Sequence, residues 1–587
     1  MSEAWQAQYE AAYGNELGIK NGDASQFGVS IRQVTLRSGS TFLPQPSGVT
    51  AIVGPNNAGK STLLREIHQT LTSSWQDQLA ARRIVADVAL SKSGSTADAI
   101  CWAANNLTFS PPPIGQGFSR DGGSQFSPHI FSAWEREGDR QSASVLDLVA
   151  LYGDARGRFG IAGSVQGRDE SSSPPIHPLH RLQDSKELMD RLSAISQRVF
   201  GMPLTLDTLS TTVRLRVGTI LSPTPLVNEV SKAFRDEMAA LRALDEQGDG
   251  MQSFIGQMLP LLTSSYKVVL LDEPEAFLHP PQARALGREL GRISGESGTQ
   301  VILATHDRNL LVGLLESAAP VSVVRIMRDG TTNSIKQLDA DHLTEVWGDP
   351  VLKYSGVLDG LFHDISVIAE AEGDCAFYQA SIDHVMRDRL PMVDVHMVPT
   401  SGKAAIAKAC HALSSASVRV VATADIDMLA DRQMLEGLVR AVGGEWTDEM
   451  NRLWSSATSI AREQQEPITV GAALQAVADA MKDYSSAPLT TARRKEIDAH
   501  LRVSRSFWKE AKSYGIARFM GQAGMDVRKL LDLLDTQGVV IVRSGELESL
   551  APDVAVAKGP GWLAAAMSSG SHTGQLAQEH VARFFLR

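Results

Sequence analysis

The sequence is poor in cysteine. Cys101, Cys375 and Cys410 are the only three in 587 residues, too few for a disulfide framework or a four-thiolate zinc site. It lacks any apolar run approaching 18 residues, so no membrane span is expected. The start carries Glu3, Glu10 and Glu16 without an apolar stretch of the secretory type, which predicts a chain with no leader. Positive charge is not in excess: 56 Lys and Arg against 67 Asp and Glu leave a net charge of -11. That excludes a general cationic coat for nucleic acid but allows a local basic patch. No internal repeat of 20–50 residues is visible. With 43% hydrophobic and 21% charged residues the chain is not of the disordered class. A folded protein of two to four domains in a reducing compartment, the cytoplasm, is expected.

What is present is a strand–helix rhythm. Residues 29–36 alternate apolar and polar positions, and 49–53 run as an apolar strand into a Gly-rich turn, with a helix expected over 61–71. Residues 91–130 are rich in Gly, Ser and Pro and read as loops or a poorly ordered insertion. Apolar steps of three and four predict helices over 184–200 and 225–244, as in a dimer arm or helical subdomain. Buried strands at 268–271 and 301–304 with a helix between them point to a parallel sheet covered on both faces. A second rhythm starts with a strand at 365–369 and continues through strands at 393–398 and 419–423. A mostly helical stretch follows over 430–535, with a polar break at Ser485 and Ser486, and a last strand at 538–542. The expectation is an α/β chain of two domains: 1–355 with a helical insertion at about 178–250, and 356–587 with a helical insertion at about 430–535.

The segment Gly54-Pro-Asn-Asn-Ala-Gly59-Lys60-Ser61-Thr62 fits the phosphate-loop pattern GxxxxGK[ST] and sits between an apolar strand and a helix. Its glycines permit a backbone nest at a positive helix N-terminus, where Gly54, Asn57, Gly59 and Thr62 would line the phosphates. Lys60 would reach the β- and γ-phosphates, and Ser61 would ligate Mg²⁺. Far downstream, Val268-Val-Leu-Leu-Asp272-Glu273-Pro-Glu275 ends a buried strand in carboxylates, a costly arrangement without a cation. Asp272 is the candidate for the Mg²⁺ shell, Glu273 for polarising the attacking water, and His306 in Ala304-Thr-His306-Asp307 for sensing the γ-phosphate.

These motifs, with their long separation, resemble the ABC-type ATPase head shared by SMC-, RecF- and OLD-like proteins. The resemblance implies a dimer around two ATPs, each site completed by a signature segment of the other subunit. Gln247-Gly-Asp-Gly-Met-Gln-Ser253 is the candidate for that segment, although it departs from the usual LSGGQ; no Gln-loop glutamine stands out.

The second half carries its own carboxylates at strand ends: Glu370 and Asp374 after the first strand, Asp425 and Asp427 after the third, Glu546 and Glu548 after the last. Residues 425 and 427 are expected on one face by strand alternation. Together the six form an oxygen-rich site suited to Mg²⁺ or Mn²⁺, and a two-metal centre there would serve phosphodiester hydrolysis. This half is similar to a TOPRIM domain, with Glu370 at the family's glutamate and Asp425 and Asp427 at its DxD pair; Ala371 stands where glycine is usual. Glu546, or alternatively Glu548, and Lys558 resemble the C-terminal part of OLD-like TOPRIM domains, which implies metal binding by the glutamate and help at the scissile phosphate from the lysine.

Between these motifs, residues 493–518 hold eight cations against three anions, interleaved with Phe507, Trp508 and Tyr514. A base-stacking, phosphate-tracking surface and a charged helix face with core aromatics are both open readings. His177 and His180, split by proline, are read as loop histidines, and Cys375 as a small buried hydrophobe.

Taken together, the motifs resemble the OLD family, an ABC-type ATPase followed by a TOPRIM nuclease. The resemblance implies ATP and Mg²⁺ or Mn²⁺ as cofactors and ATP-regulated cleavage or nicking of nucleic acid, DNA foremost. It also implies a homodimer or higher homo-oligomer, service in antiphage defence and a companion defence protein. Two other readings stay open: an SMC/RecF-like DNA-repair ATPase whose TOPRIM half only binds DNA, and an ATPase-controlled effector that cuts tRNA or another RNA.

Overall fold

The structure is a computed structural model. It describes residues 9–13, 22–73, 81–110, 115, 117–135, 143–170, 173–223, 225–226, 229–338, 356–387, 393–400, 402–416, 418–463, 469–482, 488–500, 507–556 and 558–586. The chain divides into two compact units, Met1–Gly348 and Asp349–Arg587. The sequence-based boundary at 355/356 and the polar break at Ser485 and Ser486 lie outside the described residues.

The first unit is built on a six-stranded sheet: β1 (Val49–Val53), β2 (Ala150–Gly153), β3 (Val268–Asp272), β4 (Gln300–Ala304), β5 (Val321–Asp329) and β6 (Thr332–Leu338), in the order β6-β5-β1-β4-β3-β2. All pairs are parallel except the β5–β6 hairpin at one edge. Every residue of β1 and β4 is buried, as continuous apolar strands covered on both faces require. Because β4 lies between β1 and β3, the C-terminal ends of these three strands deliver the phosphate loop, His306 and Asp272 side by side. Ligands of parallel α/β sheets bind at this edge.

A second, antiparallel sheet joins Gly28–Leu36 to Thr41–Phe42 and Val85–Ser93. Its first strand alternates in burial as its sequence does, with Ile31, Val34 and Leu36 in the core. Gln300 ties the two sheets together: its side chain accepts from Ile31 N (2.7 Å) and donates to Ile31 O (3.0 Å).

Two expectations are corrected here. The stretch 91–130 is not simply loop, since it contains helix Thr96–Asn106 and the paired strands Thr108–Ser110 and Gly117–Ser119. Ser95 and Asp98 close a capping box at the helix start, while Ile100 and Trp102 bury its inner face. The insertion at 178–250 is only partly helical. Helices Pro178–Asp184 and Lys186–Phe200 are followed by strands Leu204–Asp207 and Thr212–Val217. Of the helix expected over 225–244, the described residues form helix over Lys232–Ala240, which ends where Arg242 and Ala243 pair with the free edge of Thr212–Val217.

The second unit holds a four-stranded sheet, β7 (Ile365–Ala369), β8 (Val395–Pro399), β9 (Arg419–Ala424) and β10 (Val539–Ile541), in the order β8-β7-β9-β10. All three pairings are parallel, so the four C-terminal ends share one edge. Helices Glu372–Met386 and Lys403–Ser415 provide the first crossovers. The stretch 430–535 is helical in its described parts, from Arg432–Ala441 to Gly521–Gln537. No helix among the described residues is long and apolar enough to cross a membrane.

Candidate functional site

In the first unit the phosphate loop folds as its glycines dictate. Gly54 (φ 146°) has no room for a side chain, since an added Cβ would stand 2.3 Å from Ile326 O, and Gly59 adopts φ 99°. Asn57 takes the left-handed region at φ 62°. Ser61 and Thr62 lie in the first turn of the following helix, Lys60–Thr72. Lys60 is buried, and its ammonium donates to Gly54 O (2.8 Å) and Pro55 O (3.1 Å) at the mouth of the loop. Burial pulls its pKa down, against the attraction of Glu273, Glu275 and Asp272.

Asp272 closes β3. Burial pushes its carboxyl up, opposed by a hydrogen bond from the Ser61 hydroxyl. Its buried Oδ1 has no hydrogen-bond partner among the described residues. A serine hydroxyl against a half-satisfied, half-buried carboxylate is a donor set that suits a hard divalent cation. Glu273, the next residue, is held at φ +46° with its N–H donating to Ala304 O (2.9 Å) and its carboxylate half exposed. His306 Nδ1 lies 3.6 Å from Glu273 Oε1 and 3.3 Å from Glu275 Oε1.

Two residues given no role by the sequence reading complete this arrangement. Glu275 is buried and accepts from Thr305 Oγ1 (2.8 Å) and His306 N (3.0 Å), fixing the loop that carries the histidine. Arg158 is 2% exposed and grips the backbone of the carboxylate turn. Its guanidinium donates to the carbonyls of Asp272, Glu273 (2.9 Å) and Pro274 (3.3 Å) and approaches Ser253 Oγ at 3.5 Å. Ser253 ends the candidate signature segment, whose Gly248 caps helix Asp249–Thr263. That helix also holds the turn directly, as Gln257 Nε2 donates to Pro274 O (2.9 Å).

In the second unit the shared sheet edge gathers the six nominated carboxylates. Glu370 follows β7 directly, and Asp374 lies in the first turn of Glu372–Met386. Asp374 is pushed up to about 6 by burial and by the neighbouring charges of Asp425 and Glu370. The alternation argument for Asp425 and Asp427 is corrected: β9 stops at Ala424, and Asp425 caps a short 3₁₀ helix, Ile426–Ala430. The two carboxylates converge instead on Lys512, whose Nζ stands 2.8 Å from Asp425 Oδ2, 3.5 Å from Asp427 Oδ2 and 3.7 Å from Glu546 Oε2. Lys403, at the start of the helix after β8, reaches Asp427 Oδ1 at 2.5 Å. Lys558 bridges Glu546 (3.2 Å) and Glu548 (3.3 Å).

Among the described residues no three His, Cys, Asp or Glu side chains stand close enough together to hold a metal ion. The expectation of a formed carboxylate cage is corrected to that extent: the oxygens of Asp425, Asp427, Glu546 and Glu548 are paired with ammonium groups, which neutralise like charges at short range. The donor set nevertheless suits a hard cation. It consists of carboxylate oxygens alone, and Asp374 is strained by like charges that a cation would relieve.

The basic stretch divides. Phe507 is buried and its ring packs against half-buried Trp508 (5.4 Å) and buried Phe519 (5.2 Å), while Tyr514 is exposed. Arg518 stacks on Phe507 and pairs with Glu510; Arg502 and Arg505 lie outside the described residues. His177 caps the helix Pro178–Asp184 with its ring nitrogen, and burial pushes the Cys375 thiol up to about 12, in keeping with structural roles.

Comparison with known proteins adds three findings. A family model described as "AAA domain, putative AbiEii toxin, Type IV TA system" matches residues 166–313. The chain is similar to an OLD nuclease of Thermus scotoductus, 26% identical over 298 residues, which cover 44% of this chain and 54% of that protein. It thus spans about half the length of the curated relative it matches. Among solved structures, a Smc head bound to the C-terminal winged-helix domain of ScpA is 11% identical with a TM-score of 0.34, covering 54% of this chain and 99% of that one. The cbiO1 protein of Clostridium perfringens, part of an ABC transporter complex, is 13% identical with a TM-score of 0.29, covering 57% and 95%.

Proposed function

We propose that this chain is an ATP-regulated, divalent-metal-dependent endonuclease of the OLD type, with an ABC-like ATPase unit followed by a TOPRIM nuclease unit. The observation that carries the nuclease reading is the shared edge of the parallel sheet, where Glu370, Asp374, Asp425, Asp427, Glu546 and Glu548 follow three adjacent strands. Similarity to an OLD nuclease supports the reading, and a function in antiphage defence rests on the same resemblance.

In the ATPase unit Lys60 would hold the β- and γ-phosphates, Ser61 and Asp272 the Mg²⁺, and Glu273 the attacking water, with His306 positioned by Glu275 beside them. In the nuclease unit the carboxylates would hold Mg²⁺ or Mn²⁺, which supplies charge stabilisation to the attacking and leaving oxygens of a phosphodiester. Lys558, more exposed than Lys512, would meet the scissile phosphate. Nucleic acid, DNA foremost, is the proposed substrate. A homodimer is the proposed working form, because an ABC-type site is completed in trans.

Incubating the purified protein with Mn²⁺ or Mg²⁺ and plasmid DNA, linear DNA or total RNA tests this. Metal-dependent cleavage of DNA is expected. Cleavage of RNA alone would favour the RNA-effector reading, and binding without any cleavage would favour the repair-ATPase reading.

A further inference from the structure

Among its described residues the basic stretch contributes Lys512 to the acidic edge rather than to a surface. Lys512 belongs to helix Phe507–Tyr514, which is anchored by buried Phe507 and Ala511. The turn that follows the helix is tied to the loop before Glu546, where Ile516 N donates to Arg543 O (2.9 Å), and that loop is tied to the Asp425 turn, where Ile426 N donates to Gly545 O (2.8 Å). At Gly545 (φ +124°) the loop passes so close to the helix that an added Cβ would stand 2.0 Å from Lys512 O. Helix, Glu546 loop and Asp425 turn therefore form one block, and the block aims the Lys512 ammonium between Asp425, Asp427 and Glu546. Its side chain is 26% exposed, against 62% for Lys558.

We infer that Lys512 is a built-in counter-ion of the proposed nuclease centre, which a divalent cation must displace from the Asp425–Asp427–Glu546 oxygens in order to bind there. The inference rests on the metal-dependent reading proposed above. Charge supports it. Three ammonium groups, Lys403, Lys512 and Lys558, pair with four of the six carboxylates, Asp425, Asp427, Glu546 and Glu548, so negative charge is still in excess at the edge while these oxygens are already engaged. A surface lysine would give way at little cost; one held on a packed helix competes as a fixed charge. Lys512 thereby weakens metal binding in the resting protein until the metal concentration suffices. A unit positive charge about 4 Å from a bound dication, at the screening typical of partly buried sites, lowers affinity by more than tenfold.

The test is Mn²⁺ binding by the full-length, nucleotide-free protein, followed by electron paramagnetic resonance of the free ion. Sites lost in Asp425→Ala are counted as the carboxylate edge. Lys512→Met and, as a second variant of different packing, Lys512→Gln should each bind Mn²⁺ at least tenfold more tightly than wild type, whereas Lys512→Arg, which keeps the charge, should stay within a few-fold of it. Wild-type affinity in a folded Lys512→Met or Lys512→Gln protein would overturn the inference and leave the metal reading standing. If neither wild type nor these variants bind Mn²⁺ at sites sensitive to Asp425→Ala, the metal reading falls and the inference with it.

Discussion

Replacing Arg158 by methionine should cripple ATP hydrolysis out of proportion to its effect on stability. The guanidinium is buried and bonds mainly to backbone carbonyls, and burial pulls its pKa down to about 10. At about 1.4 kcal/mol per decade of acidity, that is a penalty of about 3 kcal/mol carried by the folded state. The charged hydrogen bonds to the Asp272 and Glu273 carbonyls contribute about 1.5–3 kcal/mol each. Methionine fills much of the same volume, so lost bonds and relieved burial largely offset, and a net loss of about 1–3 kcal/mol is expected. The turn itself fares worse. Glu273 sits at φ +46°, a conformation that costs a non-glycine residue about 1–3 kcal/mol and persists only where its surroundings enforce it. Without Arg158 the Glu273 carboxylate is free to drift, and a misplacement of about 1 Å costs on the order of a hundredfold in rate. Steady-state ATPase assays should therefore show kcat falling by that order with KM for ATP little changed, since Lys60 and the loop are untouched. Lys should rescue only in part, having no fork to span several carbonyls. A folded Arg158→Met protein hydrolysing ATP at the wild-type rate would refute this reasoning.

Lys60→Ala should abolish ATP hydrolysis by removing the phosphate charge partner, and Glu273→Gln should bind ATP but stall; unaltered turnover in Lys60→Ala would sink the phosphate-loop assignment. Burial, with Arg583 and Arg543 nearby, holds His580 at about 3, so the folded state excludes a proton that the unfolded chain takes up near 6.5. Its contribution to stability is complete above pH 6.5 and is lost as pH falls toward 3, by about 2 kcal/mol at pH 5. Urea unfolding at pH 7.5 and 5 should show a shallower acid loss for His580→Gln than for wild type, and identical losses would contradict the burial argument. Light scattering should find at least a dimer with ATP present, where a monomer with and without nucleotide would overturn assembly in trans.

Much of this was legible in the sequence because the signals are local. The glycines and Lys60 of the phosphate loop, the apolar run into Asp272 and the strand ends carrying Glu370, Asp425 and Glu546 each announce themselves within ten residues. The OLD-type resemblance they carry agrees with the similarity to the Thermus scotoductus nuclease. Arg158 was not legible, since its carbonyl partners lie more than a hundred residues away and no periodicity marks it. Glu275 lay in plain view among the carboxylates, but only its bonds to Thr305 and His306 reveal a positioning role. The alternation argument for Asp425 and Asp427 failed because the strand ends at Ala424, before either carboxylate, so a 3₁₀ turn brings the two together. Composition misled over 91–130, where Gly, Ser and Pro counts hid a capped helix whose Trp102 is buried. The inward aim of Lys512 depends on how its helix packs against Gly545.

The most direct test of the account is to measure nucleic-acid cleavage and ATP hydrolysis in the same preparations of wild type and Asp425→Ala with Mn²⁺. Losing a carboxylate at the metal centre should cost on the order of a thousandfold in cleavage rate. ATP hydrolysis should persist, because Asp425 and Lys60 belong to different units. Cleavage lost with ATPase intact is the predicted result; an Asp425→Ala protein that cuts as fast as wild type would contradict the assignment of the carboxylate edge as the nuclease centre.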